Sequence, residues 1–182
     1  MRKTKAILNS ITKKILTVFK DDNGQPVAEV SLDGLNPDMI LVDVDLDDRD
    51  NVSLDNKDEI VKGHNWKRLK KDRDSEICQD IIVGDNEYCM DEESFDSMKD
   101  RVSIMGDGEE TIWKLKNGKR ISAPKEQLQA VITEYILRKQ DSMEACWEVE
   151  DDLSNGSGYD EAQVRFSEKL NTRKEKRKNK GN

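Results

Sequence analysis

Charge in this chain is laid down in alternating blocks, and that alternation limits what the chain can fold into. Residues 1–20 hold six basic side chains and no acid, whereas residues 21–60 hold thirteen acids against two bases. The sign flips again at residues 61–75 (+4), 76–100 (−8), 101–130 (+2), 131–160 (−6) and 161–182 (+5). The formal net charge of −8 is what these blocks leave over. With 38% charged and only 34% hydrophobic residues, the chain falls short of the ~45–50% apolar content of an ordinary globular domain. One compact domain of roughly 100 residues with polar extensions therefore fits better than two full domains. Opposite-sign blocks suit a protein that sits between other surfaces, each block steering a different partner, although plain solvated faces give the same pattern.

Several chemistries are hard to build from these residues. No stretch approaches the ~18 consecutive apolar residues of a membrane span. The basic N-terminus lacks the continuous apolar core of a signal peptide, because Asn9, Ser10, Thr12, Lys13 and Lys14 interrupt it. It reads as mature structure made in a reducing cytoplasm. Cys78, Cys89 and Cys146 are odd in number and widely spaced, which suits buried or half-buried structural thiols rather than disulfides or a zinc site. His64 is the only histidine, so a histidine general base beside a nucleophile is nearly excluded. The acidic run Asp43, Asp45, Asp47, Asp48, Asp50 lacks the glycine and glutamate that a calcium loop needs at its sixth and twelfth positions. Catalytic, cofactor-binding and metal-binding residues are accordingly expected to be none.

Local patterning gives a mixed α+β chain. Residues 4–19 read two ways: Ile7, Leu8, Ile11, Ile15 and Val18 fall at helical spacing, while 15–19 is a good strand. The favoured reading is a short N-terminal helix or arm, then a hairpin over about 14–32 turning at Asn23-Gly24. MILVDVDL (39–46) reads as a third strand with an acidic outer face. A basic helix follows from Trp66 to about Asp80, then strands at Ile81–Val83 and Tyr88–Met90. Asp91 is a plausible N-cap for a helix to about Met105 that carries Phe95, Met98, Val102 and Met105 on one face. A hairpin over 111–122 turns at Asn117-Gly118. The longest helix runs from Pro124 to about Val149 with a stripe of Leu128, Val131, Ile132, Tyr135, Ile136, Met143 and Trp147. After the break Ser154-Asn155-Gly156-Ser157-Gly158, a last helix starts near Asp160 and frays beyond Thr172. The expected organisation is an N-terminal arm plus β-rich unit at 1–60, a helix–hairpin–long-helix domain at 61–153, and a linker with a basic helical arm at 154–182.

The stretch from Trp66 to Leu153 resembles a domain of unknown function that recurs in tail-fibre-associated and other tail proteins of tailed bacteriophages. The resemblance is carried by the basic helix Trp66-Lys67-Arg68-Leu69-Lys70-Lys71-Asp72-Arg73 and the helix start Tyr88, Asp91, Glu92, Ser94. The Trp113-x-Leu115 strand with Asn117-Gly118, and the helix start Lys125-Glu126-Gln127-Leu128, complete it. It covers about half the chain, and its warrant is the order of the elements. It implies a non-enzymatic structural or adaptor component of a virion tail, baseplate or tail-fibre attachment, made in the host cytoplasm. The implied partners are other tail or virion proteins in a symmetric multi-copy assembly, with no membrane, no cofactor and no nucleic acid. The side chains marked for partner contact are Lys13, Lys14, Trp66, Lys67, Arg68, Phe166, Leu170, Arg173, Lys174 and Arg177, with residues 1–14 and 160–182 as arms. The competing expectations are a small phage nucleic-acid-binding protein that uses the basic tail, or an acidic DNA mimic that inhibits a host nuclease.

Overall fold

Thr4, Ala6, Leu8 and Ser10 are buried while their neighbours are not, the period-two signature of a strand. The first three belong to β1 (Arg2–Asn9) and Ser10 follows it; β1 is the first element of a computed structural model that describes residues 2–21, 23–25, 27, 30, 34, 36–47 and 52–180. An Asx turn reverses the chain after β1: the Asn9 side chain accepts from the N–H groups of Ile11 and Thr12, 3.0 and 2.7 Å away. β2 (Ile15–Val18) then pairs antiparallel with β1, placing Ala6 opposite Val18. β3 (Met39–Leu46) covers the other edge of β1, with Ala6 opposite Val42 and Leu8 opposite Ile40, and β4 (Val52–Ser53) completes the order β2-β1-β3-β4. The N-terminal residues are therefore a central strand, which corrects their reading as a helix or arm. β2 finds its hairpin partner upstream, in β1. The expected second strand at 27–32 lies largely outside the described residues. Lys5 pairs with Asp43 across the wet face at 2.7 Å, so the acidic face of β3 has an ordinary cross-strand use.

The helices and hairpins follow. α1 (Lys57–Ile77) starts nine residues earlier than its pattern suggested. Its buried positions 61, 65, 69 and 77 lie four or eight residues apart, and Asn65 interrupts the apolar series and hides the stripe. β5 (Ile81–Val83) pairs with β6 (Asn86–Tyr88). Asp91 caps α2 (Glu92–Ile104) by accepting from the Ser94 N–H at 2.7 Å. β7 (Glu110–Lys114) and β8 (Arg120–Pro124) form the hairpin around Gly118, whose φ of 83° only glycine adopts without strain. α3 (Lys125–Ser154) and α4 (Tyr159–Lys180) close the chain. The fold class is α+β.

The chain divides into two units, one of residues 1–68 with 150–162, the other of residues 69–149 with 163–182. These bounds differ from the expected 1–60, 61–153 and 154–182, and α1, α3 and α4 each contribute residues to both units. Ala6, Leu8, Val42, Val44 and Val61 form the core of the first unit. In the second, Tyr88, Met90, Met98, Leu115, Leu128, Val131 and Tyr135 are the heart of a larger core, with Phe95 stacked on Tyr135 at 4.2 Å between ring centroids. Trp113 and Ile132 pack half-buried against it, whereas Ile136 and Trp147 face outward. The α3 stripe is thus narrower than the sequence suggested.

The Tyr88 ring is fully buried, and its hydroxyl has no hydrogen-bond partner among the described residues. A stranded buried hydroxyl costs about 1–3 kcal/mol. Tyr88→Phe is therefore expected to leave the denaturation midpoint unchanged or raise it. A loss above about 1 kcal/mol in urea unfolding would mean that the hydroxyl is bonded after all.

Candidate functional site

α4 carries five of the ten side chains marked from sequence, and it turns them inward. Phe166 and Leu170 lie one turn apart and are both buried. Arg173, Lys174 and Arg177 extend the same face, since residues three and four apart on a helix are neighbours. Arg173 donates to Glu144 and to Glu148 of α3, and Lys169 reaches Glu148 at 3.0 Å. Lys174 donates to Glu76 of α1. Arg177 lies 3.2 Å from Glu134 and 3.3 Å from Asp141. The basic C-terminal block thus neutralises carboxylates of its own unit and stays helical to Lys180, past Thr172 where fraying was expected. The physical reason is complementarity between blocks of opposite charge within the chain, and in partly buried pairs that attraction is weakly screened.

These pairs set an acid dependence. Hydrogen bonds from Lys169 and then Arg173 hold the Glu148 carboxyl below its ordinary value of 4.5. A carboxylate lowered in the folded state adds stability that is complete above the unfolded value and is lost as pH falls through the folded one. Asp91, held below 3.8 by the hydrogen bonds from Ser94, acts the same way in a lower window. The thermal midpoint is expected to drop as pH falls below about 4.5, and Glu148→Gln to flatten the upper part of that drop. Circular dichroism melts at stepped pH check this. An unchanged acid profile in Glu148→Gln would contradict the pairing.

In the first unit, Lys13 pairs with Asp58 at 2.5 Å. Arg68 donates to Asp38 at 2.6 Å, and its guanidinium lies 3.6 Å from the Tyr159 ring centroid, a favourable stack. Nothing in the local pattern around Tyr159 signals that contact. Trp66 is half-buried, and Lys14 and Lys67 are exposed. His64 Nε2 lies 2.7 Å from the Pro37 carbonyl oxygen. A carbonyl can only accept, so that nitrogen carries the hydrogen. Two neighbouring cavities also belong to this unit. The larger, about 650 Å³, is lined by Asn65, Asp160 and the 153–159 segment. The smaller, about 280 Å³, is lined by Glu59, Gly63, Trp66 and Glu150. Glu59, Lys62, Leu153 and Ser154 belong to both.

The perturbed groups are shifted away from neutral pH. Burial, aided by Asp74, Asp91 and Glu92, pushes the Cys78 thiol up, which keeps it protonated rather than activated. Hydrogen bonds to Asp80 and Glu87 push Lys116 up to about 12, the opposite of what a catalytic amine needs. Cys146 is buried, but Cys78 and Cys89 are exposed where they follow α1 and β6, which corrects the expectation of three structural thiols. Among the described residues no group of three or more His, Cys, Asp or Glu side chains could hold a metal. No helix among them is long and apolar enough to cross a membrane.

The sequence model of a family described as a domain of unknown function (DUF4376) matches residues 61–168. No curated protein and no solved structure matches the chain.

Proposed function

The chain belongs to the DUF4376 family, whose match spans more than half of it, and from that premise we propose that it is a structural or adaptor component of a bacteriophage virion tail. In this reading it works through protein–protein contacts with other tail or virion proteins, in a symmetric multi-copy assembly.

One observation carries the contact reading. Six large apolar side chains of the second unit stay exposed on elements whose other faces are buried: Ile82, Ile104, Ile112, Ile136, Trp147 and Val164. Ile104 is 74% and Trp147 55% exposed. Exposed tryptophan on a rigid helix is the residue type that dominates binding energy at protein interfaces. The virion context rests on the resemblance of residues 66–153 to tail-associated proteins, a stretch that falls inside the family match. A nucleic-acid role draws less support, because Arg173, Lys174 and Arg177 already hold carboxylates of their own unit.

Mass spectrometry of purified particles of the phage that carries this sequence tests the reading. The expected result is the polypeptide at a fixed multiple of a tail protein. Its absence from mature particles and from tail assembly intermediates would overturn the proposal.

A further inference from the structure

α2 turns an acidic stripe to solvent. Glu93, Asp96, Asp100 and Ile104 follow one another at spacings of three, four and four, so they share the face opposite buried Met98 and Val102. All four are exposed, and the three carboxylates make no ion pair among the described residues. The β7–β8 hairpin turns the opposite sign outward. Thr111 and Ala123 are buried, so the alternating neighbours Ile112, Lys114, Arg120 and Ser122 face out. The register sets Lys114 directly opposite Arg120, a like-charge pair that costs stability. Neither they nor the adjacent Lys119 has an ion pair among the described residues, whereas Lys116 on the same hairpin is held by Asp80 and Glu87. Glu110, at the far end of β7, gives no relief, because it accepts from the Ser122 hydroxyl at 2.5 Å.

Each face also carries an exposed isoleucine, Ile104 on the acidic one and Ile112, 67% exposed, on the basic one. The two faces are neighbours within one unit. Arg101 of α2 donates to Thr111 of β7 at 2.8 Å, and Ser94 of α2 lines one cavity with Trp113 and Lys114. α2 and β7 thus run side by side in opposite directions. A two-fold axis between them lays the acidic stripe of one copy on the basic face of the other, and does so twice.

We propose that α2 and the β7–β8 hairpin form the contact between two copies of this chain. Asp96 and Asp100 of one copy lie on Lys114 and Arg120 of the other, and Ile104 packs against Ile112. A second copy fits better than nucleic acid, because the outer hairpin face holds no aromatic ring on which a base could stack. It fits better than a foreign acidic protein, because three carboxylates and three cations already match on neighbouring faces of one chain. The proposal deepens the multi-copy reading above and rests on it.

Sedimentation velocity on the full chain tests the contact. The expected result is a monomer–dimer equilibrium that is about tenfold weaker or more at ~0.5 M than at ~0.05 M NaCl. Asp100→Lys and Lys114→Glu each weaken it by about tenfold or more, since like charges then meet. An equimolar mixture of the two variants returns to within about threefold of the unaltered chain, because each copy supplies the charge its partner lacks. Both variants fold, Lys114→Glu with an unchanged or higher melting point because the repulsion with Arg120 is gone. Trp147→Ser, on another exposed face, leaves association unchanged. A chain that stays monomeric, an association indifferent to salt or to both reversals, a mixture no tighter than its components, or loss of the dimer in Trp147→Ser would each overturn the interface. A monomeric chain found in virions overturns this interface alone. Absence from virions overturns the tail reading, whatever sedimentation gives.

Discussion

Phe166→Ala lowers the unfolding free energy by about 3–5 kcal/mol, the cost of deleting a buried ring and leaving a cavity. Phe166 is 4% exposed and lies between Ala162 and Leu170 on the inner face of α4. Beyond Leu170 that face turns cationic, and Arg173, Lys174 and Arg177 hold carboxylates of α3 and α1. Ion pairs this near the surface contribute only fractions of a kcal/mol each, so the two large apolar anchors carry most of the attachment. Val164→Ala on the exposed face is the control, with a change within about 0.5 kcal/mol. Guanidinium unfolding followed by circular dichroism reads both. Equal and small effects would mean that α4 is an appendage.

Leu8→Ala is expected to cost about 2–5 kcal/mol. Leu8 is fully buried in β1, the strand flanked by β2 on one side and β3 on the other. The core of the first unit is small, centred on Ala6, Leu8, Val42, Val44 and Val61. A loss of this size is a large part of the ~5–15 kcal/mol that holds a typical domain together. Ile11→Ala, in the exposed turn after β1, changes stability by less than about 0.5 kcal/mol. An arm would give the same silent result at both positions, so the contrast between them separates a central strand from an arm.

Both positions mark where the sequence was hard to read. β1 and the turn after it bury Thr4, Ala6, Leu8 and Ser10, two of them polar, while Ile7 and the exposed Ile11 imitate a helical stripe. Thr4 is tolerated in the core because its hydroxyl donates to the Phe19 carbonyl at 2.6 Å and accepts from the Val27 N–H at 3.0 Å, partners that periodicity does not reveal. In α4 the ion pairs join residues as far apart as Glu76 and Lys174, and no local window sees such a contact. The signals that did survive are local ones: the Asp91 cap, the turn at Gly118 and the apolar run that opens α3. The site behaves likewise. Trp66 was marked from the basic helix that carries it, but Glu150, Leu153 and Ser154 join it only through the fold.

The account rests on both chain ends being integral to folded units, which under the proposed function leaves partner contact to the outward apolar side chains. Native-state hydrogen exchange on the purified full chain tests this most directly. The predicted result is that amides of Ala6 and Leu8 in β1, and of residues 166–173 in α4, are strongly protected, with those of α4 approaching Leu128 and Val131 in the core of their unit. Exchange of either segment at the rate of an unstructured peptide, with Leu128 and Val131 still protected, would contradict it.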